Sequence, residues 1–519
     1  MARQQQAGSP NILLIVTDQH APRIAGFAGD RVVQTQNLDS LAARSVQFDA
    51  AICASPCCTP SRMCFLTGKE VHRCGGWNNH WVIFPEHVTW PEHFAAHGYR
   101  TCLVGKMHFG GRDQMQGFQC RPYGDLRHGL GHQPDPIDLF PAYAGPAGAG
   151  ITEIPESLLQ DVVVTRETIS FLLEHQDVQP QVPWFCCASY SRPHSPFTAP
   201  GRYIRRYGDR VPPVAGSDHS ENHSEPFVQK LRLSETYDQL TPEQTQKARE
   251  AYYACVDYVD DCIGELFNAL EAGGLLENTI IIYTSDHGEM AGVHDLWGKG
   301  VYYESSIGVP LLVTGPGIQS GHHRLGQPVS LMDLFPTTCA LAGLPVPAGL
   351  DGVDFSDVLA DPSSASAARQ FAPSSYYVYG VRSRGAPGAA EDEPCRAMRL
   401  VRGQNWKYVE IEHGDALLFD LLKDPLEQVN LANLPEHAER CQSMRTALYE
   451  NFSWEQSHAQ LAEDRERIKE FGSGMKPTTP NQYMLPDGRV FDAEGDLYGA
   501  RWLFLPPAPG GGIIPQQFG

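Results

Sequence analysis

The chain has 519 residues, 61 of them acidic and 40 basic, for a formal net charge of -21; 42% are hydrophobic and 19% charged. That length suits one large α/β unit with an appended domain, and the composition excludes wholesale disorder. The acidic balance excludes a general nucleic-acid binder and general attraction to an anionic membrane, but a local cationic pocket could still hold a small anion.

Residues Met1–Ala7 lack the charged, apolar and small-residue regions of a signal peptide, and no apolar run is long enough to span a membrane. The expected location is therefore cytoplasmic. The 14 cysteines, with adjacent pairs at Cys57-Cys58 and Cys186-Cys187, are expected to stay reduced there. Cys53, Cys57, Cys58, Cys64 and Cys74 are dense enough to raise a zinc site, but the group contains no C-x-x-C spacing.

Asn11 to Thr17 is a continuous apolar run, as in a strand covered on both faces, and Asp18-Gln19 stand at its end. Pro91 to His97 reads as a helix ended by Gly98, and Thr101 to Val104 as the next strand. Pro183 to Ala188 is another apolar segment. Pro242 to Ala272 reads as a long helix ended by Gly273-Gly274. Thr279 to Tyr283 follows as a β-branched strand leading into Asp286-His287-Gly288-Glu289, and Val309 to Thr314 is a further strand. Strands alternating with helices imply a large, mostly parallel sheet flanked by helices on both faces. Ligands gather beyond the carboxyl ends of such strands, where Asp18 and Asp286 lie.

Ser375 to Tyr379, Ala397 to Arg402, Lys407 to Ile411 and Ala416 to Leu421 are short strands without intervening helices. They predict a small antiparallel sheet, with Gly380 to Pro394 as a loop and Leu434 to Asn451 as a helix packed on it. The expected organisation is a catalytic α/β domain over residues 1–370, a smaller α+β domain over 371–484, and an extended Pro/Gly-rich arm over 485–519. The arm could cover the body or reach a second subunit of a homo-oligomer.

The sharpest local signal is Cys58-Thr59-Pro60-Ser61-Arg62, followed by Leu66-Thr67-Gly68. Pro60 suits the first turn of a helix. Cys58 then lies at a helix N-terminus, where backbone N–H groups favour negative charge, and Arg62 falls one turn later on the same side. Asp18-Gln19 and Asp286-His287 offer carboxylate, amide and imidazole donors to a hard divalent cation. Lys106 and His108, two apart in Gly105-Lys106-Met107-His108, would share a face if extended.

C-x-P-S-R followed by Leu-Thr-Gly resembles the signature of type I sulfatases of the alkaline phosphatase superfamily. The likeness extends through Gln36 to Ala42, Leu331 to Thr337, Leu350-Asp351-Gly352, Leu418 to Leu421 and Asp424 to Leu431. The resemblance implies that a separate maturation enzyme oxidises Cys58 to formylglycine. It also implies one metal ion, Ca²⁺ or Mn²⁺, bound by Asp18, Gln19, residue 58, Asp286 and His287. Gln and His at positions 19 and 287 are similar to the branch of choline sulfatases and phosphonate monoester hydrolases. His194, in Pro193-His194-Ser195-Pro196, and Lys299 match a family histidine and lysine. In the implied reaction the aldehyde hydrate attacks sulfur while Arg62, Lys106 and Lys299 offset the developing charge. His194 or Lys299 then protonates the leaving alcohol, and His108 deprotonates the second hydroxyl to expel sulfate.

The expected substrate is a small alkyl or aryl sulfate ester, with Trp77, Asn78, Asn79 and His80 as candidate pocket residues. A phosphonate monoester or phosphodiester hydrolase with the same site is the rival enzyme. An anion-binding protein is the alternative if Cys58 stays a thiol.

Overall fold

The structure is a computed structural model. It describes residues 8–79, 81–111, 113–124, 145–214, 228, 237–363, 368–378, 396–471, 482–484 and 490–492. The body is an eight-stranded sheet made of β1 (Asn11–Asp18), β2 (Val46–Ile52), β3 (Arg100–Gly105), β4 (Cys120–Tyr123), β5 (Trp184–Pro193), β6 (Thr279–Ser285), β7 (Leu311–Thr314) and β8 (His323–Ser330). Their spatial order is β8-β2-β7-β6-β1-β5-β3-β4. Every pairing is parallel except the two made by β7.

The apolar run of β1 is buried on both faces, as a central parallel strand requires. Ile12, Leu14 and Val16 face one core and Leu13 and Ile15 the other, following the period of two along a strand. The first core takes in α2 (Cys58–Thr67), α3 (Trp90–Ala96) and α6 (Leu334–Leu341). The second takes in α1 (Gln36–Ala42), α4 (Gln160–Val178) and α5 (Pro242–Ala272). Helix α5 begins with Thr241 accepting from the Gln244 N–H while Gln244 accepts from the Thr241 N–H, and ends at Gly273.

A second sheet is an antiparallel meander of β9 (Ala372–Val378), β10 (Arg396–Arg402), β11 (Trp406–Ile411) and β12 (Ala416–Asp420). Val401, Tyr408 and Leu418 on one of its faces pack against Met444 and Leu448 of α7 (Ala438–Leu448). Its other face, through Met398, Leu400, Val409 and Phe419, continues the first core of the large sheet. A last helix, α8 (Trp454–Phe471), was not read from the sequence. It places Asp464 where the indole N–H of Trp77 donates to it at 2.8 Å. The expected loop over Gly380–Pro394 lies outside the described residues. So does the arm from residue 485 on, apart from the strand Val490–Asp492, which pairs with Gln482–Met484. Among the described residues no helix is long and apolar enough to cross a membrane.

Candidate active site

Four adjacent parallel strands, β6, β1, β5 and β3, end at the same edge of the sheet, and each delivers polar groups there. Thr17 is level with Ser285 and Gly105 with Ser189, so the segments beyond them emerge side by side. β1 ends in Asp18, β6 leads into Asp286-His287, β5 into His194, and β3 into Lys106. Helix α2 supplies the remaining component. Its ten residues are all buried, and Gly68, at φ 64°, closes it in the left-handed conformation. Its first turn, with Pro60 in it, aims Cys58 at the strand ends. The Thr59 N–H, one of the helix's unpaired donors, is taken up by Asn79 Oδ1 at 3.0 Å.

The sequence-predicted residues converge. One ligand atom each from Asp18, Cys58, Asp286 and His287 lies within 4.8 Å of all the others. His287 Nε2 stands 3.2 Å from Cys58 Sγ, 3.6 Å from Asp286 Oδ1 and 3.8 Å from Asp18 Oδ1. His287 Nδ1 is 3.0 Å from the Gly288 carbonyl, which can only accept; the ring therefore carries a proton on Nδ1 and turns Nε2 to the cluster. Gln19, at φ 67°, donates its backbone N–H to Asp286 Oδ1 at 3.1 Å. Its side-chain oxygen accepts from Lys299 Nζ, and its side-chain nitrogen donates to Glu289.

Arg62 spans the floor of the site. Its Nε donates to Asp286 Oδ2 at 2.9 Å, one terminal nitrogen lies 3.5 Å from Asp18 Oδ2, and the other donates to the Lys106 carbonyl at 2.6 Å. Lys106 Nζ pairs with Asp18 Oδ2. The turn after β3 brings His108 beside Cys58, its carbonyl accepting from Thr59 Oγ1 at 2.9 Å, and His194 also stands near the thiol. His194 is held in turn by the Ser195 carbonyl, 2.6 Å from its Nδ1.

The charges act on one another strongly because the site is buried. Burial and the Cys58 thiol oppose ionisation of Asp18, but Lys106, His194 and Arg62 outweigh them and hold its carboxyl below the usual range. Burial also opposes ionisation of Cys58, and Lys299, Lys106 and His287 overcome it, pulling the thiol well below its ordinary value. Burial disfavours charge on Lys299, yet Cys58, Asp18 and Asp286 raise it. Burial, then Lys299 and Lys106, lower His194.

The donor set fits a divalent cation. Two carboxylates and an imidazole nitrogen, with Gln19 tied to Asp286 beside them, are a hard-to-borderline set. Asp18 Oδ1 is buried without a hydrogen-bond partner, and such an oxygen is costly unless a cation or water satisfies it.

Two expectations are corrected. Lys106 and His108 do not lie in an extended segment: β3 stops at Gly105, which has φ 94°, and His108 has φ 57°. A side chain at Gly105 would put its first carbon 2.1 Å from the Ser189 carbonyl, so only glycine makes this turn, and the turn brings Lys106 and His108 to the cluster. Trp77 does not line a pocket. It is fully buried, bonded to Asp464 and edge-on to Tyr377, with ring centroids 4.9 Å apart. Asn78 is 9% exposed, Asn79 holds Thr59 and also accepts from Cys57 Sγ at 3.1 Å, and His80 lies outside the described residues. Among the described residues the candidate metal group is the Asp18, Cys58, Asp286 and His287 set, which takes one member, Cys58, from the cysteine cluster.

Sequence reasoning passed over Glu289, although it ends the Asp286-His287-Gly288-Glu289 string. Burial lifts its carboxyl to about 7, against the N–H groups of Ala291 and Gly298. It also passed over Asp161, at the start of α4. Asp161 accepts the backbone N–H groups of Ser191 and Arg192 at 3.0 and 3.1 Å and pairs with the Arg192 guanidinium at 2.5 Å, steadying the segment that carries His194.

Residues 10–344 match the family described as Sulfatase, and residues 292–453 match the C-terminal domain described as N-sulphoglucosamine sulphohydrolase, C-terminal. Choline-sulfatase of Rhizobium meliloti (strain 1021) is 32% identical over 449 residues, covering 82% of this chain and 83% of that protein. An arylsulfatase of Clostridium perfringens (strain 13 / Type A) is 28% identical over 478 residues, covering 85% and 93%. In fold the chain is similar to the phosphonate monoester hydrolase of Agrobacterium radiobacter, with TM-score 0.71 and 23% identity over 93% of this chain and 99% of that one. The large mixed sheet with its appended four-stranded meander is the fold that this likeness shows. This chain belongs to the sulfatase family and is a sulfuric ester hydrolase.

Proposed function

We propose that the protein hydrolyses sulfate monoesters of a small alkyl or aryl alcohol, with formylglycine formed from Cys58 and one divalent cation, Ca²⁺ or Mn²⁺. The observation that carries this reading is the convergence of Asp18, Cys58, Asp286 and His287 within 4.8 Å, in a cluster where Asp18 Oδ1 is left without a hydrogen bond. Asp18, Asp286, His287 and the Gln19 side-chain oxygen would hold the cation, beside residue 58. Cation and hydrated aldehyde together would supply the nucleophilic oxygen and a Lewis acid.

The rest falls to the chain's own side chains. Arg62, Lys106 and Lys299 are preorganised cations in a buried site, so they stabilise charge developing on the sulfuryl oxygens without reorganising. Arg62 is locked by Asp286, Asp18 and the Lys106 carbonyl, so it acts as a fixed charge. His194 and Lys299 are the groups available to hand a proton to the leaving alcohol oxygen. His108, whose backbone is tied to Thr59 beside residue 58, is the group assigned to remove a proton and release the product.

The Gly105-Lys106-Met107-His108 segment resembles that of sulfatases, and this likeness favours sulfate monoesters over the phosphonate or phosphodiester reading. The test has two parts. Peptide mass spectrometry across residue 58, after co-expression with a formylglycine-generating enzyme, should show the aldehyde. The matured protein should then turn over aryl sulfate faster than aryl phosphonate esters. A retained thiol under those conditions points to an anion-binding protein, and a reversed ratio to the phosphonate hydrolase.

A further inference from the structure

The geometry points to Glu289 as a positioning residue that holds the Gln19 amide with its oxygen toward the cation site; this rests on the metal reading above. Glu289 is fully buried in the loop after β6. Its Oε1 accepts the Ala291 N–H at 2.8 Å and the Gly298 N–H at 2.6 Å, which pins the carboxylate to the backbone at two points of that loop. Its Oε2 is left to take the side-chain N–H of Gln19.

The two ends of a glutamine amide have the same shape, so packing alone cannot choose which faces the site; only the partners' hydrogen-bonding character can. Both partners of Gln19 make the same choice. Lys299 Nζ has only donors, so the end it meets must be the oxygen. The NH₂ end then points at Glu289. A flipped amide would set NH₂ against both the ammonium and the cation and withdraw one oxygen ligand. Glu289 also holds Gly298, the residue before Lys299, so one carboxylate sets both the amide and the lysine. Buried partners of metal ligands are typically this specific in their orientation.

If Glu289 only ties the loop together, Glu289→Gln should be harmless, because its amide oxygen can still accept from Ala291 and Gly298. If it orients Gln19, the same variant puts a second NH₂ against the Gln19 NH₂. The Gln19 amide must then flip or lose its partner.

The experiment compares the full chain as wild type, Glu289→Gln, and Glu289→Gln with Gln19→Glu. Mn²⁺ dissociation constants are read from the electron paramagnetic resonance of free Mn²⁺, and melting of the cation-free protein is followed alongside. Glu289→Gln should weaken Mn²⁺ binding by about 10–100-fold with little change in cation-free melting. In the double variant a carboxylate at position 19 accepts from the new amide and turns its other oxygen inward, so binding should return to the wild-type value or tighter. Unchanged Mn²⁺ binding in Glu289→Gln overturns the inference, as does a folded double variant that stays weak. Should Glu289→Gln fail to fold, the double variant decides alone. A wild type that binds neither Mn²⁺ nor Ca²⁺ overturns the metal reading itself, and the inference with it.

Discussion

Two clusters of buried charge sit in this molecule, and they are built to different rules. One is the strand-end cluster of Asp18, Asp286, Arg62, Lys106 and Lys299. The other joins the large unit to the small sheet. There Lys407, fully buried on β11, donates to the Tyr302 carbonyl at 2.6 Å, lies 3.3 Å from Glu304 Oε1 and pairs with Glu427. Arg402 reaches Glu304 Oε2 at 3.1 Å, and the Glu304 backbone N–H donates to Glu427 at 2.6 Å. Two cations meet two carboxylates: Lys407 reaches both carboxylates, and Glu304 takes both cations. Burial opposes charge on Glu304, yet Arg402 and Lys407 pull it down to about 2. The strand-end cluster has no such closure. Asp18 Oδ1 is left over, and three cations crowd around a thiol. A closed buried network costs desolvation and returns rigidity, whereas an open one keeps capacity for a ligand.

The contrast can be broken at several points, each with a smaller expected effect than the one before. Cys58→Ser, a near-isosteric change in the open cluster, should lower turnover by about 10³-fold or more while leaving thermal unfolding unchanged; near-native turnover would refute the role of residue 58. Asp286→Ala should abolish turnover equally.

Lys407→Met, in the closed cluster, should cost about 3–5 kcal/mol in denaturant unfolding, because two carboxylates lose their buried partner. Turnover per folded molecule should be unchanged. The pH dependence has a definite sign. Lys407 lowers both Glu304 and Glu427; without it Glu304 keeps Arg402 but loses part of its lowering, and Glu427, already raised by burial, rises further. A raised carboxylate penalises the fold above its unfolded value, so the deficit should shrink as pH falls from about 7 to about 5. A deficit independent of pH in that window would mean the quartet is not the cause.

Chelation should abolish activity, and restoring cation at about 100 times its dissociation constant should recover about 2.7 kcal/mol of stability. The effect should vanish in Asp286→Ala. Arg202→Ala, which removes an exposed pair with Glu156, should change stability by about 1 kcal/mol or less and sharpen the point that burial, not charge count, sets the scale.

Much of this was legible in the residues because the signals are local. The apolar run into Asp18, the β-branched run into Asp286 and the Thr241-to-Gly273 helix limits each follow from a few adjacent side chains. Parallel pairing then brings the strand ends together without further information. What was misread depends on distant partners or on backbone turns. Trp77 looks like a pocket residue until Tyr377 and Asp464, some three hundred and more positions away, claim it. The Lys106–His108 segment looks extended until the left-handed Gly105 and His108 bend it. Glu289 was in plain view but gives no signal alone, since its part is defined by the Gln19 amide far away in the chain.

The interior is continuous across the two sheets. Ala372, Tyr377, Met398, Leu400 and Phe419 of the small one lie in the same apolar mass as Trp77, Trp90 and Phe335 of the large one. Trimming the chain back to the large sheet would therefore not yield a minimal enzyme. It would strip the roof from an indole and leave Glu304 without either of its cations, so unfolding should be a single cooperative event in which both sheets are lost together.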